Sequence, residues 1–141
     1  MPTPPNQDLA DQVVRRLKFN DQGLIPAVAQ QHDTGEMLMV AWMNADAIRE
    51  TLESGQVCYF SRSRDALWRK GESSGQIQKL IEFRWDCDED TVLLQVDQTG
   101  VACHTGRHNC FFTAVRDGAA EIISEVEVSP EEMYGKSPAE S

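Results

Sequence analysis

The sequence contains no apolar run approaching the ~20 residues that a membrane-spanning helix requires. Its N-terminus, MPTPPNQDLADQ, lacks the basic-then-apolar pattern of a secretory signal. Both absences favour a soluble, cytoplasmic setting, where thiols stay reduced and bind metal or pack in cores rather than form disulfides. The four cysteines include no CxxC pair, which makes a thioredoxin-like redox role remote. Positive charge is scarce as well. Thirteen Lys and Arg face 23 Asp and Glu, a net charge of −10, which argues against general affinity for nucleic acid or for anionic membranes. No internal repeat is present.

The 141 residues suffice for one self-sufficient core, and 40% hydrophobic with 26% charged residues is ordinary for a globular domain. Residues 1–7, rich in proline, read as a disordered leader, 8–117 as the domain, and 118–141, with six Glu and one Lys, as an acidic tail. A short amphipathic helix is expected over 8–19 from Leu9, Val13, Arg16 and Leu17. Residues 24–30 and 36–43 read as a hairpin about the turn His32-Asp33-Thr34-Gly35, with Pro26 suggesting an edge or an interruption. Asn44 caps a helix over 45–54, closed by Gly55. Further strands are expected over 56–62, 76–85, 91–97 and 111–116. In the second of these, Ile77, Ile81, Phe83 and Trp85 share one face and Gln78, Glu82 and Arg84 the other. The fold class expected is mainly β (α+β), with one or two short helices.

The chemistry concentrates in cysteines and acids. Cys87, Cys103 and Cys110 offer three soft thiolates suited to zinc, and three protein ligands leave a tetrahedral position open, as in catalytic sites. The alternative is three scattered core thiols. Cys58, flanked by apolar strand residues, reads as core. In Asp86-Cys87-Asp88-Glu89-Asp90, an extended backbone would put Asp86, Asp88 and Asp90 on one face ~6–7 Å apart and Cys87 on the other. That separates a hard oxygen site for magnesium from a soft one for zinc, unless the segment is simply a solvated acidic turn. A cysteine facing away from its aspartates does not easily reach the other two, and a symmetric dimer with zinc bridging two chains would answer this.

Five stretches in order then resemble the phosphoribosyl-AMP cyclohydrolase family. They are Trp42-Met43-Asn44, Ser61-Arg62-Ser63-Arg64, the run Leu67-Trp68-Arg69-Lys70-Gly71-Glu72-Ser73-Ser74-Gly75, the Asp86–Asp90 segment, and Ala102-Cys103-His104-Thr105-Gly106 with Cys110-Phe111-Phe112. The resemblance spans roughly residues 24–116; Asn109 and Asp46 depart from the usual Ser and Glu. It implies an intertwined, barrel-like β homodimer with sites at the subunit interface, one zinc and one magnesium per subunit. Cys87 of one subunit with Cys103 and Cys110 of the other would hold zinc, and Asp86, Asp88 and Asp90 magnesium. The family activity is hydrolytic opening of a nucleotide's adenine ring in histidine biosynthesis. Too few residues follow Cys110 for a second helical domain, so a monofunctional form is expected.

Within that reading His104, next to a zinc ligand, is the candidate for proton transfer, the alternative being a packed or supporting imidazole. His108 and His32 carry no such signal: His108 reads as surface or as a support behind the ligands, and His32 as a turn residue. Ser61, Arg62, Ser63, Arg64, Lys70, Ser73 and Ser74, with the amides of the Gly71–Gly75 loop, form a local basic, hydroxyl-rich group suited to phosphates. A cationic β-edge is the bland alternative. Trp68 fits either purine stacking or the core. Two other functions remain in play: a zinc nucleotide deaminase, which usually shows His-x-Glu and Pro-Cys-x-x-Cys, both absent here, and a non-catalytic zinc-stabilised module closed by a fourth ligand such as His104 or Cys58.

Overall fold

A computed structural model describes residues 5–129 together with 131 and 132; the expected leader and acidic tail lie partly outside these residues. Helix α1 spans Pro5–Arg16, β1 Ile25–Gln31, β2 Met37–Met43, α2 Ala45–Ser54 and β3 Cys58–Ser61. Then follow β4 Ala66–Arg69, β5 Gln78–Trp85, β6 Val92–Gln98, β7 Thr113–Arg116 and β8 Ala119–Ile122. Six strands make one sheet in the order β4-β3-β2-β1-β6-β5, and β7 and β8 pair separately. The large sheet curls into a half-barrel, so the described residues are mainly β, with helices α1 and α2 beside the strands. A bridge between Gln56 and Lys79 draws the chain before β3 towards the start of β5. Among the described residues no helix is long and apolar enough to cross a membrane.

Local signals account for most elements. The Asn44 side chain accepts from the Ala47 N–H at 2.8 Å, and Gly55 ends α2 in the left-handed region with its N–H bonded to the Thr51 carbonyl. This leaves Ala47, Ile48 and Thr51 on the buried face. Helix α1 begins at Pro5, where the absent N–H would have had no intrahelical partner. Its buried stripe is Ala10, Val13 and Leu17, and Leu9 lies outside it, 52% exposed. Pro26 sits in a central strand, contrary to the edge expected for it. The parallel pairing of β1 with β6 begins only at Ala27 opposite Val92, so Pro26 removes no donor from that ladder.

Strand β5 departs from simple alternation. Its register against β6 slips between Leu80 and Glu82, a bulge that adds one residue and reverses the facing. Gln78 therefore points inward, fully buried, while Ile81 is 48% exposed, the reverse of the expected assignment; Phe83 and Trp85 still pack on the core. Strand β4 was not anticipated, and neither was β8, which lies beyond Asp117. Ile25, Leu38, Met43, Ile48, Tyr59 and Leu94 are the large side chains of the core.

A polar line runs through that core. The Tyr59 hydroxyl donates to Gln78 Oε1 at 2.7 Å, and Gln78 Nε2 donates to Gln98 Oε1 at 2.8 Å. Burial drives the Tyr59 phenol far above its ordinary range, so it acts as a donor at any working pH. Tyr59→Phe strands the Gln78 carbonyl without its donor. The expected cost is about 1–3 kcal/mol in urea unfolding. A loss below ~0.5 kcal/mol would mean that water replaces the phenol.

Candidate functional site

The turn from β5 to β6 gathers the aspartates, by a route other than the one expected. The segment is a tight turn, not an extended strand: Asp86 N–H donates to the Thr91 carbonyl, and Asp86 Oδ1 accepts from the Asp90 and Thr91 amides at 3.1 and 3.3 Å. Glu89 takes φ 62°, which reverses the chain. Asp86, Asp88 and Asp90 are all exposed, and one oxygen of each lies within 4.8 Å of the others. Among the described residues no other trio of metal-donor side chains is so grouped. Desolvation opposes the ionisation of Asp86, but backbone and side-chain hydrogen bonds from Asp90, Thr91 and Glu89 outweigh it and lower its pKa. Asp90 is pushed up, first by its hydrogen bond with Asp86 and then by desolvation and by repulsion from Asp86 and Asp88. Three carboxylate oxygens so close together suit a hard divalent cation such as magnesium.

Cys87 lies in this turn, exposed. Cys103 and Cys110 lie beyond the opposite end of β6. Seven residues at ~3.3 Å per step put roughly 20 Å between those ends. Cys103 is buried, and its sulfur accepts from the Thr105 hydroxyl at 3.0 Å. Cys110 is exposed as a residue, yet its thiol turns towards Cys103. Desolvation, and then Cys103 itself, push that thiol up to about 12. A desolvated thiol pair suits a soft cation, which would displace both protons. Cys58 is fully buried, its thiol raised by burial to about 11, a core residue as expected. His104 is exposed beside Cys103.

The basic, hydroxyl-rich group divides. Ser61, Arg62 and Ser63 line one cleft of 760 Å³ with Trp42 and Phe60. The Ser61 and Ser63 hydroxyls are 3.3 Å apart, and the Arg62 guanidinium lies 4.8 Å from the centre of the Trp42 ring. Arg64 joins the same turn through its N–H, which donates to Ser61 Oγ. Lys70 is not in this cleft. It is buried, 4% exposed, near Cys110 and Cys103; burial lowers its pKa while those sulfurs pull the other way. Ser73 is exposed elsewhere, and Ser74 Oγ accepts from the Gln76 amide. Within Gly71–Gly75, the Glu72 and Gly75 amides bond inward to Arg69 and Gly71, so neither is offered to a phosphate. Trp68 packs on Tyr59 with ring centres 5.1 Å apart.

Glu36 carries no signal of its own in the sequence, and His108 takes the supporting place that was one of its two readings. From the β1–β2 turn, the Glu36 carboxylate meets His108 Nδ1 at 2.7 Å and accepts from Asn109 Nδ2 at 2.6 Å. The Cys110 amide donates to the Leu38 carbonyl at 2.7 Å. On the loop's other side the Gly106 carbonyl accepts from the Glu127 and Val128 amides, and a Cβ on Gly106 would fall 1.7 Å from the Val128 carbonyl. Only glycine fits there. Pairings between residues some seventy apart leave no periodic trace in a sequence.

The model of the family described as phosphoribosyl-AMP cyclohydrolase matches residues 39–112. A phosphoribosyl-AMP cyclohydrolase of Paramagnetospirillum magneticum is 62% identical over 124 residues, 88% of this chain and 94% of the relative. That of Rhodospirillum centenum is 66% identical, covering 85% of this chain and 90% of its own. That of Acidiphilium cryptum is 68% identical, covering 78% and 96%.

The Glu36 clasp has a pH signature. Burial works against its ionisation, but the hydrogen bonds from Asn109 and His108 prevail and hold its carboxyl below the ordinary 4.5. A folded-state pKa below the unfolded one stabilises the protein above the unfolded value, and the gain fades as pH falls through the folded one. Glu36→Gln is expected to be about 0.5–1.5 kcal/mol less stable at pH 7, with the gap to wild type closing below about pH 4.5. Denaturant unfolding across pH checks it; a gap that persists at low pH would assign the loss to packing.

Proposed function

Because the chain belongs to the phosphoribosyl-AMP cyclohydrolase family, we propose that it hydrolyses the N1–C6 bond of the adenine ring of phosphoribosyl-AMP. The product is the ring-opened phosphoribosylformimino aminoimidazole carboxamide ribotide of histidine biosynthesis. The observation that carries this reading is 62% identity across 88% of the chain. With it goes a site divided between the two ends of β6: a thiol and three carboxylates at one, a desolvated thiol pair at the other.

That division supports a homodimer in which Cys87 of one subunit joins Cys103 and Cys110 of its partner around zinc. Thiols set beyond opposite ends of a strand roughly 20 Å long do not readily share one ion within a chain. The Asp86, Asp88 and Asp90 oxygens, grouped within 4.8 Å, fit magnesium. Cys87, Cys103 and Cys110 would hold the zinc, which would supply Lewis acidity for the attack of water.

The chain's own residues do the rest. Substitution at N1 makes the purine a better electron sink, so C6 accepts water. The proton shed by that water must reach N1 as the N1–C6 bond breaks. We assign that transfer to His104, which is exposed and adjacent to Cys103. The Thr105 hydroxyl steadies the Cys103 sulfur. Arg62, Ser61 and Ser63 take a substrate phosphate in their cleft.

Turnover of phosphoribosyl-AMP should vanish when a chelator strips zinc and return when zinc is added. Shared sites give a sharper test. Neither Cys87→Ala nor Cys103→Ala alone is active, but randomly mixed subunits recover about a quarter of wild-type activity, since half the dimers hold one intact site. No recovery from mixed, folded dimers would place all three ligands within one chain. His104→Asn should lower kcat by about 10²–10⁴ with zinc content unchanged. A change within a few-fold would remove His104 from the proton path.

A further inference from the structure

Trp42 carries more than packing. It lies at the end of β2, half-buried, and its indole helps wall two hollows. On one side is the 760 Å³ cleft with Ser61, Arg62 and Ser63; on the other is a 480 Å³ hollow reaching Lys18, Asp90 and Thr91. Leu24 and Trp42 are common to both, so the two are contiguous across the indole. An aromatic face thus stands between a cation flanked by two hydroxyls and the carboxylate turn.

We propose that the Trp42 indole is the platform on which the purine ring of a purine nucleotide monophosphate stacks, and that Arg62 turns from the indole to the nucleotide's phosphate as the base arrives. The proposal rests on the cyclohydrolase reading for the identity of the nucleotide, but its geometry is independent of zinc. In the free chain the Arg62 guanidinium covers the Trp42 ring at 4.8 Å. A cation–π contact at an exposed position is weak, whereas a base stacked on an aromatic ring is held more strongly. The exchange therefore favours the base, and the displaced guanidinium finds a better partner in a dianionic phosphate, which it can bind bidentately. The Ser61 and Ser63 hydroxyls, 3.3 Å apart, add donors beside it.

The other two tryptophans are engaged elsewhere. Trp68 is tilted against Tyr59, and Trp85 packs edge-on to Phe83 with its own cap from Arg16 at 5.4 Å. Trp42 is the tryptophan whose neighbours are a cleft, a cation and hydroxyls.

The test uses zinc-loaded protein and AMP as the probe, the purine monophosphate half of the proposed substrate. AMP is expected to quench tryptophan emission in the wild type and not in Trp42→Phe, where Trp68 and Trp85 remain to report. Trp42→Ala should raise KM for phosphoribosyl-AMP about 10- to 100-fold with kcat changed much less, and Trp42→Phe should restore part of the loss. Unchanged circular dichroism and thermal midpoint separate a lost platform from a damaged fold. A KM within two-fold of wild type for Trp42→Ala, or quenching that persists in Trp42→Phe, overturns the platform. If AMP quenches through Trp42 but no preparation opens phosphoribosyl-AMP, the platform holds and the cyclohydrolase reading fails. If turnover is normal and AMP does not reach Trp42, the reverse is true.

Discussion

The length of β6 governs the arrangement of chemistry in this chain. The strand emerges from the turn that carries Cys87 and the three aspartates, and leads out towards Cys103 and Cys110. Zinc–sulfur bonds of ~2.3 Å require that thiolates sharing one ion lie within about 4 Å of each other. A seven-residue strand keeps them apart by several times that distance. Because β6 pairs with β1 on one side and β5 on the other, it cannot shorten or bend without breaking two ladders. The proposed reaction centre is therefore divided by a strand paired on both sides, and under that proposal the assembly of two chains would be part of making the site.

Each end of β6 has its own supports. The thiol loop is clasped by Glu36 through His108 and Asn109, tied to β2 through the Cys110 amide, and closed from behind by the Glu127 and Val128 amides at Gly106. The carboxylate turn is fixed by its own backbone, since Asp86 accepts from the amides that follow it. Its cost is electrostatic: Asp90 is raised by its neighbours, and a divalent cation would relieve that repulsion. Rigid loops bearing unsatisfied charge are what preorganised metal sites require.

What could be read from the sequence follows the range of the interaction responsible. Helix α2 was legible at both ends because Asn44 and Gly55 act within four residues. The β1–β2 hairpin was legible from its turn. The facing of β5 was not, because the bulge near Ile81 depends on a partner strand, and alternation read across it assigns Gln78 to the wrong side. The aspartate trio was found for a reason the fold does not use: alternation along an extended strand would have spread the carboxylates, and the turn about Glu89 is what gathers them. Glu36 was invisible because its partners lie more than seventy residues away.

Lys70 shows how burial reassigns a charge that composition alone cannot place. In the sequence it stands near Arg62 and Arg64, and proximity alone assigns all three to a phosphate. In the fold it is 4% exposed, and an ammonium so enclosed is tolerable only against compensating negative charge. The groups that face it electrostatically are Cys110 and Cys103. As thiols they offer it little, but as metal-bound thiolates they offer a full counter-charge. Three thiolates around a divalent ion leave one negative charge, which a single ammonium balances. Lys70 thus lies with the thiol loop rather than in the cleft, and the proposed phosphate contact there is left to Arg62 and the serines beside it.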